Sequence, residues 1–231
     1  MNGIITRRDV YTGAGGATYL SMILDGTINE IDDSTITKIR IPDMFTNCSL
    51  LSTVILRNCN MIDTYSNASN SNYDYSTFVA SPGIFSSCPN LKSVYLMSLS
   101  ETIRAFQRVS QVNSSYFNSP FPSLVETVYL SGELTQYIGH KSGNYFYEPF
   151  YGLSHLMSVY LMFSSIPSVQ LYGNYLNPAI WAYTPMKYSS YTGSFGSIYV
   201  PASMLNDYLT ITGENRNLWR QGISSERFVG V

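Results

Sequence analysis

"IFSSCPNLKSVYL", residues 84–96, sets an aromatic, a cysteine and a leucine three residues apart and follows them with a short β-rich run. The spacing recurs. "MFTNCSLLSTVIL" (44–56) aligns Phe45, Cys48, Leu51, Val54 and Leu56 with Phe85, Cys88, Leu91, Val94 and Leu96. "PFYGLSHLMSVYL" (149–161) repeats it with Phe150, Leu156, Val159 and Leu161, and Leu153 takes the cysteine slot. "FPSLVETVYL" (121–130) keeps Val125, Val128 and Leu130 with Pro122 in the cysteine slot, and "SFGSIYVP" (194–201) ends on Ile198 and Val200. Three full copies and two partial ones make the motif a repeat.

The Val/Ile positions 54, 94, 128, 159 and 198 stand 40, 34, 31 and 39 residues apart. Periods of roughly 20–50 residues belong to stacked-repeat folds, because one unit cannot bury its own apolar face and must lie on its neighbours. Within each unit, strand alternation sends Val and Leu of "VYL" to one face and the residue between them to the other. The aromatic, the cysteine-slot residue and the preceding leucine then fill the space behind the strand. Phe45, Cys48, Leu51, Val54, Leu56, Phe85, Cys88, Leu91, Val94, Leu96, Phe150, Leu153, Leu156, Val159 and Leu161 are therefore the expected core. The cysteines serve as small buried hydrophobes there. Unequal steps imply loops of different length between equivalent strands.

The pattern F-x-x-C-x-x-L-x-x-V-x-L resembles the BspA-like leucine-rich repeat. The ends extend the likeness. "MILDGTINEIDDSTITKIR" (22–40) resembles the lead-in to such repeats in phage and prophage proteins of Gram-positive gut bacteria, and "YTPMKYSSYTGSFGSIYVPASMLNDYL" (183–209) with Trp219 resembles their terminal unit. The resemblance implies a leucine-rich-repeat solenoid: parallel β-strands with short helical or irregular turns, α/β in class and rich in strand and loop. Its departures are long inserts at 66–81 and 104–120 and the lost Phe and Cys of the third unit. The expected division is an N-terminal attachment arm over 1–19 and a repeat domain over 20–231 whose last part, about 201–231, is a cap. Pro201 suits the first position of a helix, and Met204, Leu205 and Leu209 give "ASMLNDYL" an apolar side, with Trp219 and Phe228 near enough to help cover the open core.

Composition narrows the partners. Of the 231 residues 45% are hydrophobic, enough for a folded core, but only 12% are charged, against roughly 25% in an average domain. Ser, Asn, Thr and Tyr must supply the polar surface. A net charge of −2 leaves no excess of Lys or Arg for phosphates, so neither nucleic acid nor an anionic membrane is the expected partner. The start lacks the apolar stretch of a secretory leader, no run reaches the roughly 20 apolar residues of a membrane span, and three cysteines without CxxC spacing suggest neither a disulfide framework nor a zinc site.

Two surfaces stand out for recognition. The outward position between Val and Leu is Ile55, Tyr95, Tyr129, Tyr160 and Tyr199, and the one before Val is Thr53, Ser93, Thr127, Ser158 and Ser197. Strands in register would turn these into a phenol column beside a hydroxyl column. Tyr, Ser and Thr also suit any exposed strand face, so this pattern alone leaves the choice open. Segments 71–78, 144–151 and 180–193 are dense in aromatics, with Tyr73, Tyr75, Tyr145, Tyr147, Trp181 and Tyr183 as candidate contact residues. Tyr among Ser and Asn offers contact area at low entropic cost, although long loops also use aromatics to pin themselves down.

Nothing in the sequence points to catalysis. His140 and His155 are the sole histidines, and His155 sits at a variable repeat position held by Asn90 and Leu50 elsewhere. No GxSxG, HExxH or P-loop occurs, and "TGAGGAT" (12–18) lacks the GK[ST] ending, which makes a connector the better reading than a phosphate cradle. No catalytic residue, metal site or cofactor is expected. The resemblance, the absent leader and the low-charge Tyr/Ser/Asn surface together lead to the expectation of a non-enzymatic virion protein. It would sit in tail, baseplate, fibre or head decoration and contact other virion proteins or a host-surface glycan or protein; a homo-oligomer is compatible with that role. The alternative is an adhesin of the same fold on the bacterial cell surface.

Overall fold

Alternating Val/Leu against Tyr/Ser favours strands, because branched and aromatic side chains pack well on a pleated surface while the backbone pairs laterally. In the computed structural model of the chain, the described residues are 5–12, 18–24, 30–33, 38–39, 45–46, 48–58, 61–62, 85, 88–99, 124–133, 150, 152–167, 181, 183–187, 193–211, 219–220 and 222–231. Their strands are β1 (Ile5–Thr12), β2 (Thr18–Leu24), β3 (Glu30–Asp33), β4 (Lys38–Ile39), β5 (Phe45–Thr46), β6 (Thr53–Leu56), β7 (Met61–Ile62), β8 (Ser93–Leu99), β9 (Thr127–Gly132), β10 (Ser158–Phe163), β11 (Ser197–Val200) and β12 (Phe228–Gly230). One α-helix, α1 (Leu205–Thr210), occurs among the described residues.

Among the described residues, seven strands form one sheet in the order β12-β11-β10-β9-β8-β6-β3. Every neighbouring pair is parallel. From β3 to β12 the spatial order follows the chain order, so each unit adds one rung beside the last. The fold is strand-rich with few helices, as the repeat implies.

The units are joined by one recurring backbone device. The Ser52 carbonyl accepts from the amides of Lys92 and Ser93, at 2.8 and 3.0 Å. Lys92 does the same for Glu126 and Thr127, and Glu126 for Met157 and Ser158. Behind the strands a second device recurs. The cysteine-slot residue donates its N–H to the aromatic-slot carbonyl (Cys88 to Phe85, 3.0 Å; Leu153 to Phe150, 3.3 Å), and the leucine donates to the cysteine slot (Leu51 to Cys48 and Leu91 to Cys88, both 3.1 Å). Residues three apart in sequence thus turn through tight bends that satisfy their own backbone while aiming each apolar side chain inward.

That core is continuous from Cys48 to Phe228. Cys48, Leu51, Val54, Leu56, Phe85, Cys88, Leu91, Val94, Leu96, Phe150, Leu153, Leu156, Val159 and Leu161 are all buried, as their slots predict. Each such side chain removed from water contributes about 1.5–3 kcal/mol. Of Phe45 only the backbone is described, in β5.

At the N-terminal end β1 pairs antiparallel with β2 from Ile5↔Leu24 to Thr12↔Thr18, and β2 spans the expected division between 19 and 20. At the other end the expected helix is split into a 3-10 turn over Ala202–Met204 and α1. The cap also gives the sheet a last strand, β12, paired parallel with β11.

Candidate functional site

The outward positions of the central strands come into exact column. Ile55, Tyr95, Tyr129, Tyr160 and Tyr199 are mutual register partners across β6, β8, β9, β10 and β11, and so are Thr53, Ser93, Thr127, Ser158 and Ser197. All ten are half-buried; Ile55 and the four tyrosines each lie between two buried neighbours. The rings lean on one another. Centroid separations are 5.8 Å for Tyr95–Tyr129, 5.6 Å for Tyr129–Tyr160 and 4.3 Å for Tyr160–Tyr199, with interplanar angles of 32°, 33° and 12°. Rungs set about 4.8 Å apart leave flat rings room to stack along the sheet axis. Tyr160 and Tyr199 are stacked, so those two ring faces meet, while the other two pairs are tilted against each other.

A third outward position extends the face with Met97, Ser131 and Met162, also half-buried. Across β8 to β11 the three columns hold Ser, Thr, Tyr and Met and no charged side chain. Charge appears at the edges. Glu30 is exposed on β3 at the register position of Thr53, and Arg227 precedes β12. Arg227 is already engaged: its guanidinium lies 3.9 Å from the Phe195 ring centroid and pairs with Glu226 at 2.9 Å. The Tyr160 phenol is held above the ordinary tyrosine range by burial, with the neighbouring phenols of Tyr199 and Tyr95 adding to it.

Trp181 has a different place from the one expected. Its ring is buried and stacks on Phe150, with centroids 5.0 Å apart and 13° between planes. Thr184 donates its N–H to the Trp181 carbonyl (3.2 Å) and Lys187 donates to that of Thr184 (3.1 Å), the hydrogen bonds of the aromatic and cysteine slots. Trp181 is the aromatic of the fifth unit and Thr184 stands in its cysteine slot. The buried Thr184 hydroxyl is satisfied by the Trp181 carbonyl at 2.7 Å. Lys187 and Ile198 stand eleven positions apart, where the matching residues of complete units stand three apart, and this hides the register in the sequence. Tyr183 is exposed, at 63%, on a left-handed backbone (φ 57°); it belongs to the covering turn and not to the strand face. Tyr73, Tyr75, Tyr145 and Tyr147 lie outside the described residues, as does His140.

Compared with known proteins, the chain matches no family model and no curated protein. His155 is exposed at its variable slot, with Nδ1 3.2 Å from the Ser154 hydroxyl. Among the described residues no helix is long and apolar enough to cross a membrane, and no three His, Cys, Asp or Glu side chains are grouped to hold a metal.

The capping residues were only partly legible. Trp219 is fully buried, its indole N–H donating to the Pro167 carbonyl at 3.1 Å, while its own carbonyl accepts from the Trp181 indole at 3.1 Å. Tyr208, unnoticed in the sequence, packs edge-on to Trp219 (6.3 Å, 80°) and lies 6.0 Å from Phe228. This aromatic chain closes the core and holds β11, and with it Tyr199, at the end of the ladder.

Proposed function

We propose that the chain is a BspA-like leucine-rich-repeat solenoid that serves, without catalysis, as a structural and recognition component of a phage particle. The strand face docks it to another protein of the particle or to a host-surface protein. The observation that carries this reading is the four-tyrosine ladder beside a hydroxyl column, free of charge from β8 to β11. Interface centres are enriched in Tyr and Met and depleted in Lys, Glu and Asp, because charges are costly to dehydrate while a phenol brings apolar area and one hydrogen bond.

Ring orientation favours protein over sugar. A pyranose stacks on an open aromatic face, whereas rings stacked on one another offer edges and hydroxyls. A host glycan would instead find its aromatics on the covering turns, where Tyr183 stands exposed. The resemblance of the segments at 22–40 and 183–209 to phage and prophage repeat proteins supports a virion location.

The test is composition and place. Mass spectrometry of purified particles should detect the chain, and a density map should show the Tyr129–Tyr160 face against a neighbouring protein. A chain missing from particles, or one whose tyrosine face lies open to solvent in them, removes this reading.

A further inference from the structure

We infer that Cys48 and Cys88 form an oxidisable thiol pair that, by exchange with a low-molecular-weight disulfide, becomes a covalent staple between two adjacent units. The pair sits at the base of the chain segment that joins those units, residues 59–84.

The geometry comes from the repeat. Both residues hold the same slot, each six positions before a register-paired valine, Val54 and Val94. The same bend is built at each, Leu51 N–H to Cys48 and Leu91 N–H to Cys88 at 3.1 Å. Further ties fix the two bends side by side. The Asn90 side-chain amide donates to the Ser49 carbonyl at 2.6 Å, and the Lys92 amide to that of Ser52 at 2.8 Å. Equivalent atoms of adjacent rungs lie roughly 4.8 Å apart, inside the roughly 4.4–6.8 Å between Cα atoms that a disulfide spans. Both side chains carry thiols and are buried, and they hydrogen-bond each other. The Leu153 and Thr184 slots hold no thiol, so this chemistry is confined to the two units.

The hydrogen bond makes the thiols unequal. It lowers Cys48 against the opposing effect of burial and, together with burial, raises Cys88, which favours Cys48 as the attacking thiol. The Cys48 thiolate attacks one sulfur of oxidised glutathione, forming a mixed disulfide and expelling one glutathione thiolate. Cys88 then loses its proton to solvent base and attacks the Cys48 sulfur, and a second glutathione thiolate leaves. The protein gives up two electrons and two protons, and one glutathione disulfide becomes two glutathione thiols. Burial makes local opening of the bends the slow step, so the staple forms over a longer time than exchange at an exposed thiol.

The consequence is mechanical. Cys48 and Cys88 are 40 positions apart. Joining them fixes both ends of the intervening segment, which carries Tyr73 and Tyr75, and removes unfolded-state freedom.

The test uses the full chain carrying Cys59→Ser, which leaves these two thiols alone, with the unsubstituted chain beside it. Each is incubated with oxidised glutathione below its melting temperature, quenched in acid, unfolded, alkylated and mapped by mass. Expected are loss of both alkylation sites without a retained glutathione, a cross-linked peptide containing residues 48 and 88, reversal by dithiothreitol, and a higher Tm for the oxidised form. Cys59→Ser/Cys88→Ala should keep glutathione on Cys48 and show no rise in Tm. Thiols that stay fully alkylatable throughout, glutathione that persists on Cys48 while Cys88 is present, or a Cys48–Cys59 link predominating in the unsubstituted chain would each overturn the proposal.

Discussion

The Trp181 indole lies on the Phe150 ring, 5.0 Å between centroids and 13° from parallel, and donates its N–H to the Trp219 carbonyl at 3.1 Å. One side chain thus joins the fourth unit, the fifth unit and the cap. Trp181→Ala should cost about 3–5 kcal/mol, the usual loss for a buried aromatic cut back to a methyl. Trp181→Phe should cost less, because it keeps the stack; what it loses is the indole donor to the Trp219 carbonyl. Urea unfolding of the two variants checks both, and a cost near zero for the alanine variant would place Trp181 on the surface after all.

The ladder should separate binding from stability. Tyr129→Ser with Tyr160→Ser removes the two central rings and keeps the register. Each lost aromatic contact is worth about 0.5–1.5 kcal/mol, so the chain should still melt cooperatively at a somewhat lower temperature. Incorporation into particles, measured against the unsubstituted chain in competition, should fall at least tenfold. Unchanged incorporation would mean that the face is ordinary exposed sheet.

Tyr208 should be improved by losing an atom. Its hydroxyl is buried without a hydrogen-bond partner among the described residues, and Tyr208→Phe removes that group while leaving the packing on Trp219 and Phe228. Stability should rise or stay level, by up to about 1 kcal/mol. Burial also holds the Tyr208 phenol well above the ordinary value near 10. Its contribution is whole below that value. It is lost as pH rises, because the unfolded chain releases the proton first. The alkaline limb of the stability–pH curve should accordingly be shallower in Tyr208→Phe; an identical limb would contradict it.

Gly132 carries a backbone requirement. Its φ is 138°, and a Cβ there would collide with the Leu99 backbone where the β8–β9 register shifts between Leu96 and Leu99. Gly132→Ala should cost about 1–3 kcal/mol from conformation alone, with more from the clash. Thermal melting should show a clear drop, whereas alanine at Gly152, which has open space around the added carbon, should pay for its positive φ only.

The repeat was readable because its physics is local. Strand alternation and bends closed three residues apart depend on side chains a few positions away, so Phe85, Cys88, Leu91, Val94 and Leu96 announce their own burial. Trp181 was not readable. Its slot is set by a partner, Phe150, and by a register that the long interval before Ile198 interrupts. The last strand, Phe228–Gly230, is three residues long and has no signal beyond its place beside β11. The pairing of β1 with β2 was not readable either, because it depends on a neighbour across the glycine-rich stretch 12–18.

Sequence alone determined the unit, its inward residues and which side chains would share a face, since alternation and spacing follow from chain geometry. Tertiary structure decided what the face is. Only the stacking of rungs sets Tyr95, Tyr129, Tyr160 and Tyr199 at 4.3–5.8 Å, turns their rings toward one another, and draws Trp181 into the core. Those outcomes depend on distances between residues more than thirty positions apart in the chain, and a linear pattern cannot contain them.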